Sequence, residues 1–278
     1  MSKWSLNGFG ESGVVAGLIG MALVQAGQAG VPFTSLQGAG GAAFNPLAYP
    51  AGQNKDEKAE SVMSKAQFGA WYVSLSDVDV DWTAIGVAET LFDRLELSYG
   101  FEVVAPPAKN IKKHSVGAKV LLVSENLGGS PFVPALSVGA FWKTTDDVAE
   151  GSDDSGLDYY LVATKLITQS PWPILLSAGV LSSKEQVTGV FGYNDDSDIT
   201  GFGNIDVVLP ISVAVGLEYK QGSEYDAFKN ASYWDAHAAW IVNKNLTLIG
   251  AYVNAGDEKS KTETGLGDGV VLSAQYAF

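Results

Sequence analysis

Gly269-Val270-Val271-Leu272-Ser273-Ala274-Gln275-Tyr276-Ala277-Phe278 ends the sequence, and its period decides the fold. Alternate residues of a strand point to opposite faces. Phe278, Tyr276, Ala274, Leu272 and Val270 therefore share an apolar face. Ala277, Gln275, Ser273, Val271 and Gly269 share a small or polar one. A final strand of a soluble β-sandwich has this alternation too. An aromatic last residue favours the closing strand of an outer-membrane barrel, with Phe278 as the signal to the barrel-assembly machinery. The rest of the chain has to decide.

The same alternation recurs upstream. Leu95, Leu97, Tyr99, Phe101 and Val103 oppose Glu96, Ser98, Gly100 and Glu102. Ile211, Val213, Val215, Leu217 and Tyr219 oppose Ser212, Ala214, Gly216, Glu218 and Lys220. A charge at mid-depth on a lipid face costs roughly 2–4 kcal/mol, so the charged faces point inward. Candidate strands cover 66–76, 80–90, 94–104, 114–124, 132–143, 157–168, 173–183, 202–209, 211–221, 232–242, 246–254 and 267–278. Connections after even-numbered strands are short and most of those after odd-numbered ones long, as in a barrel with periplasmic turns and extracellular loops. The fold class predicted is an all-β, transmembrane antiparallel barrel of twelve strands, spanning residues 66–278. The outward faces of 66–76 and 80–90 are not assignable from pattern.

Composition bounds the alternatives. No apolar run reaches the roughly 20 residues of a spanning helix. There is no cysteine, so neither a disulfide framework nor a thiolate metal site exists, and a net charge of -14 opposes general nucleic-acid binding. Lys3, an apolar run from Gly13 to Val24 and small residues at Ala26–Gly30 read as a signal peptide over 1–29, with an apolar amino-terminal arm as the alternative. Residues 30–65 are Gly-rich, then charged. Gln37-Gly38-Ala39-Gly40-Gly41-Ala42-Ala43 lacks the bulk for a core of its own and is a candidate plug or periplasmic segment.

The segments Leu91–Ser98, Leu157–Lys165 and Val213–Gln221, with the Gly-rich patch after Leu36, resemble an uncharacterised family of proteobacterial envelope proteins carrying a domain of unknown function. The resemblance implies an outer-membrane barrel akin to porin-like proteins. It supplies no activity and no site residues.

With apolar faces outward, Glu96, Glu102, Lys119, Lys165, Asp206, Glu218, Lys220, Asp235 and His237 are the predicted lumen residues. They suit a channel that filters a small hydrophilic solute by charge and size. A closed or plugged scaffolding barrel, its inner ion pairs satisfying one another, is the alternative. Asp146-Asp147, Glu150, Asp153-Asp154 and Asp158 form one acidic cluster, and Asp195-Asp196 and Asp198 another. They match no EF-hand spacing and read as solvated loops. Asp235 and His237 share a face, yet Ser212 and Ser232 have no nucleophile motif behind them, so no catalysis is expected. Trp71, Tyr72, Trp82, Tyr99, Trp142, Trp172, Tyr219, Trp234, Trp240, Tyr252 and Tyr276 are the predicted aromatic girdles. No cofactor or resident metal is implied. The expected surroundings are lipid and lipopolysaccharide of a Gram-negative outer membrane.

Overall fold

The computed structural model describes residues 33–52, 62–146, 148, 151–225, 228–256 and 263–278. The candidate signal segment 1–29 lies outside the described residues, as do parts of 30–65 and the acidic residues Asp147 and Glu150. Twelve antiparallel strands form a closed barrel. In chain order they are β1 (Gln67–Leu75), β2 (Val80–Leu91), β3 (Leu95–Ala105), β4 (Ile111–Val123), β5 (Ala135–Thr145) and β6 (Ser155–Ile167). They continue as β7 (Ile174–Glu185), β8 (Tyr193–Leu209), β9 (Val213–Lys220), β10 (Tyr233–Ile241), β11 (Leu246–Asn254) and β12 (Asp268–Ala277).

Each strand pairs with its neighbour in sequence, and β12 closes on β1 from Gln67↔Ala277 to Leu75↔Gly269. Closure pairs every backbone amide that would otherwise face hydrocarbon. No described helix is long and apolar enough to cross a membrane. The shortest turns have the backbone such hairpins need. Phe92 and Asp93 both have positive φ, 52° and 58°, and Arg94 N–H donates to the Leu91 carbonyl at 3.0 Å. That is the mirror-image turn whose twist matches the strands.

The side chains sort as the terminal strand predicts. Val270, Leu272, Tyr276 and Phe278 are exposed, and Val271, Ser273, Gln275 and Ala277 are buried. Of the predicted girdle, nine rings from Tyr72 to Tyr276 stand outward. Trp71 and Trp82 do not: both are buried on the inner face, among Val73, Leu75, Val80 and Ala84. The inner wall at β1 and β2 is therefore largely apolar, with Gln67 and Thr90 its buried polar exceptions, which is why those two strands show no clear polar face.

At the long-loop end the strands reach further than their apolar stretches. β4 begins at Ile111, so His114 is on a strand; its Nδ1 lies 2.8 Å from the Tyr99 hydroxyl on the outer surface. β8 begins at Tyr193, which places Asp195, Asp196 and Asp198 on a strand and not in a loop. Polar strand ends that project beyond the apolar band carry the composition of loops, so pattern alone truncates them. The connection 124–134 at the short-turn end is likewise longer than a tight hairpin and contains a 3₁₀ turn, Leu127–Gly129.

Candidate functional site

Residues 33–52 lie inside the barrel. Thr34, Ser35, Leu36, Asn45, Leu47, Ala48 and Ala51 are all buried. Glycine makes the fit possible. Gly38 has φ +87°, and a Cβ there would come within 2.3 Å of the Tyr99 carbonyl oxygen. From the wall side, a Cβ on Gly86 would meet Gly38 Cα at 2.7 Å, and one on Gly100 would meet the Gln37 carbonyl carbon at 2.6 Å. Backbone thus rests on backbone, which only residues without side chains allow.

The segment is tethered around the wall, largely through its main chain. On β3, Glu96 accepts the Gly40 N–H at 2.9 Å and the Ala51 N–H at 2.6 Å. From β4, Lys119 Nζ donates to the carbonyls of Gly40 and Tyr49 at 2.8 and 2.9 Å and pairs with Glu96 at 2.8 Å. All three ammonium protons are used. On β9, Glu218 accepts the Phe44 and Asn45 N–H groups at 2.8 and 3.3 Å. Ser137 of β5 donates to the Ala48 carbonyl, and Thr164 of β6 accepts the Ala48 N–H. Gln275 of β12 accepts the Thr34 N–H, while Trp71 Nε1 of β1 donates to the Thr34 carbonyl. Thr90 of β2 bonds the Ala51 carbonyl. An irregular backbone inside a membrane-spanning barrel has to find partners in protein, and this one does. The Tyr49 hydroxyl donates to Glu125 at 3.0 Å; burial first, and the carboxylate second, push its pKa well above the ordinary tyrosine value.

Eight of the nine predicted lumen residues face inward: Glu96, Glu102, Lys119, Asp206, Glu218, Lys220, Asp235 and His237. Lys165 is the correction. It follows the outward parity of Leu161 and Ala163, opposite exposed Leu176 of β7. It lies at the short-turn end, where Nζ bonds Glu125 at 2.9 Å and Asn126 at 2.7 Å. Its inward neighbour is Thr164. The eight do not ring an open channel, because Glu96, Lys119 and Glu218 hold the amino-terminal segment.

A second network fills the long-loop half. Lys143 bridges Asp158 at 2.6 Å and Glu185 at 2.8 Å, and Lys113 pairs with Glu102 at 3.1 Å. Lys220 stands 3.7 Å from Glu185 and over the Tyr233 ring. Sequence reasoning missed Lys113, Lys143, Asp158 and Glu185 as lumen residues. The signal was present in Lys113 and Lys119, which share parity, but it needed the true start of β4. The 186–192 connection folds inward here: Val187 and Val190 are buried, and the Gly189 carbonyl accepts from Thr145 Oγ1 at 2.8 Å. Val187 and Thr188 have φ of 46° and 56°, a strained conformation for β-branched residues. Asn230 holds it, accepting the Val187 N–H at 2.7 Å and donating to the Glu185 carbonyl at 2.9 Å. Beneath that connection lies a partly open pocket lined by Leu36, Gln37, Trp82, Glu102, Lys113 and Lys220, among others.

The third cluster is at mid-barrel. His237 Nδ1 lies 2.7 Å from Asp235 Oδ1, and Nε2 lies 2.8 Å from Asp206 Oδ1. Both ring nitrogens meet carboxylates, and neither Ser212 nor Ser232 is their partner.

A family model described as "Protein of unknown function (DUF3034)" matches residues 29–275. No curated protein matches the chain. Among solved structures the chain is similar to the KdgM porin, with a TM-score of 0.53 at 12% identity, covering 76% of this chain and 99% of that one. The KdgM porin in complex with disordered oligogalacturonate gives 0.53 at 11% identity, over 76% and 99% of the two chains. The outer-membrane protein Omp33 of Acinetobacter baumannii gives 0.45 at 9% identity, over 79% and 100%. At these identities the likeness is one of fold, a porin-like outer-membrane barrel.

Proposed function

The chain belongs to the DUF3034 family, and we propose that it is a porin-like channel of a Gram-negative outer membrane whose resting lumen is closed by residues 33–52. The observation that carries this reading is the nature of the seal. Glu96, Lys119 and Glu218 are ion-bearing side chains that grip the segment through its backbone. If the segment withdraws, Glu96 and Lys119 still pair with each other, and water can replace the lost backbone partners. What remains is a polar wall suited to a small hydrophilic solute, filtered by charge. Catalysis is no part of this reading, since both nitrogens of His237 are occupied by carboxylates. Its surroundings would be lipid and lipopolysaccharide, with Phe278 presented to the assembly machinery.

A permanently closed scaffolding barrel is the second reading. The apolar seam favours it: Leu36 and Ala43 pack with Trp71, Val73, Ile249 and Val271, and baring that surface to water is unfavourable. Solute-swelling assays on liposomes separate the two. A protein lacking 33–52 should admit small sugars that the intact chain excludes. A folded deletion protein that still excludes them would favour the scaffold.

A further inference from the structure

Among the described residues, every other buried acid of the lumen wall has a lysine. Glu96 has Lys119, Glu102 has Lys113, and Asp158 and Glu185 share Lys143 with Lys220 beyond. The mid-barrel cluster breaks the rule. Asp206, Glu218 and Asp235 are three buried carboxylates, and among the described residues His237 is the one ion-pair partner found within the cluster. Even a doubly protonated imidazole leaves an excess of negative charge out of water, which is costly unless something offsets it.

Strand register builds the array. Asn204, Glu218 and Asp235 stand side by side on β8, β9 and β10, and Asp206, Gly216 and His237 form the adjoining row. One ligand atom each from Glu218, Asp235 and His237 lies within 4.8 Å of the other two. Asp235 is fully buried, and its Oδ2 has no hydrogen-bond partner. Asn204 Oδ1 is likewise buried and unpartnered, while its amide nitrogen donates to Asp206 Oδ2 at 2.8 Å. An orphaned carboxylate oxygen beside a second carboxylate and an imidazole is a site that lacks a positive centre.

We propose that Glu218, Asp235 and His237 bind a divalent transition-metal cation, with Zn²⁺ the best fit to one imidazole and two carboxylates. The ion takes the place of the proton on His237 Nδ1 and bonds Asp235 and Glu218. Nε2–H goes on donating to Asp206 at 2.8 Å, and this fixes the tautomer and the ring plane. Asp206 is then a positioning residue, the carboxylate behind a metal-bound histidine. Glu218 is shared, since its oxygens also accept the Phe44 and Asn45 N–H groups. The inference is independent of whether the lumen ever opens.

The test refolds the full chain with Zn²⁺ present, because the site is buried. Free ion is removed, zinc per folded chain is measured, and Co²⁺ replaces it for a visible spectrum. One zinc per chain is expected, with a Co²⁺ spectrum of low coordination number. His237→Ala and Asp235→Asn should each weaken retention at least tenfold. Asp206→Asn should weaken it by about 10- to 100-fold and shift the Co²⁺ spectrum. Asp195→Asn with Asp196→Asn, outside the cluster, should change nothing. Should His237→Ala fail to fold, Glu218→Gln decides, since it keeps the shape. No retained zinc, or equal retention in the cluster variants, overturns the proposal; Glu218 and Asp235 then share a proton instead.

Discussion

Asp206 and His237 meet at 2.8 Å across Gly216, the residue opposite both of them on the strand between. A Cβ on Gly216 would come within 2.4 Å of Asp206 Oδ1 and 2.6 Å of His237 Nε2. The glycine is the gap through which β8 and β10 touch. Gly216→Ala should therefore force the pair apart and destabilise the barrel by about 1–3 kcal/mol. The unfolding temperature of the barrel, read by the loss of its strand circular dichroism in detergent, should fall. An unchanged temperature would show that the array relaxes without cost.

The amino-terminal segment depends on glycine in the same way, at the wall facing Gly38. Gly100→Val puts a branched side chain where the Gln37 backbone lies and should dislodge the segment without touching an ion pair. The absence of cysteine makes this easy to follow. Ala39 is buried, so Ala39→Cys should react slowly with a maleimide, and adding Gly100→Val should raise the rate at least tenfold. Equal rates in the two backgrounds would mean that backbone contact at Gly100 does not seat the segment.

The wall of the barrel is legible in the sequence, and its filling is not. Period-two alternation is set by the lipid and the lumen at once, so the strand count is legible along 66–278, and the faces are legible where the contrast is strong, as in Leu95–Val103 and Val270–Phe278. It fails where the contrast between faces fails, as at Trp71 and Trp82, which pack against Leu36 and not against lipid. It misleads by one residue at Lys165, where a charge at the membrane edge is tolerated outward and pairs with Glu125. The inward position of Glu96 and Lys119 was legible, but their partners were not. Those partners are main-chain atoms of Gly40, Tyr49 and Ala51, and backbone atoms leave no trace in composition. The Gly-rich run 37–43 marks a candidate plug, but composition cannot name the surface it meets.

Lys143 is the single bridge between Asp158 and Glu185, and all three are buried. Lys143→Met should leave two carboxylates facing each other and cost about 3–5 kcal/mol. Adding Asp158→Asn and Glu185→Gln should recover most of that loss. Resistance to urea-induced unfolding reads both changes, and a triple variant no more stable than Lys143→Met would show that the ion network is not the source of the stability.

Charge inside and outside the wall should behave differently once the lumen is clear. In a protein without residues 33–52, Lys119→Glu should move ion preference towards cations, because Lys119 faces the lumen. Lys165→Glu should move it much less, since Lys165 has outward parity and its Nζ sits at the short-turn rim, bonded to Glu125. Reversal potentials in a salt gradient distinguish the two, and a shift with Lys165→Glu as large as that with Lys119→Glu would contradict the assignment of its face.

On the proposed reading, residues 33–52 close a lumen otherwise fit to conduct. Single-channel recording in a planar bilayer compares the intact chain, Gly100→Val and the deletion of 33–52. The intact protein should be silent or open rarely, Gly100→Val should open frequently, and the deletion should show a steady discrete conductance. A steady conductance from the intact chain, or silence from a folded deletion protein, would contradict that reading.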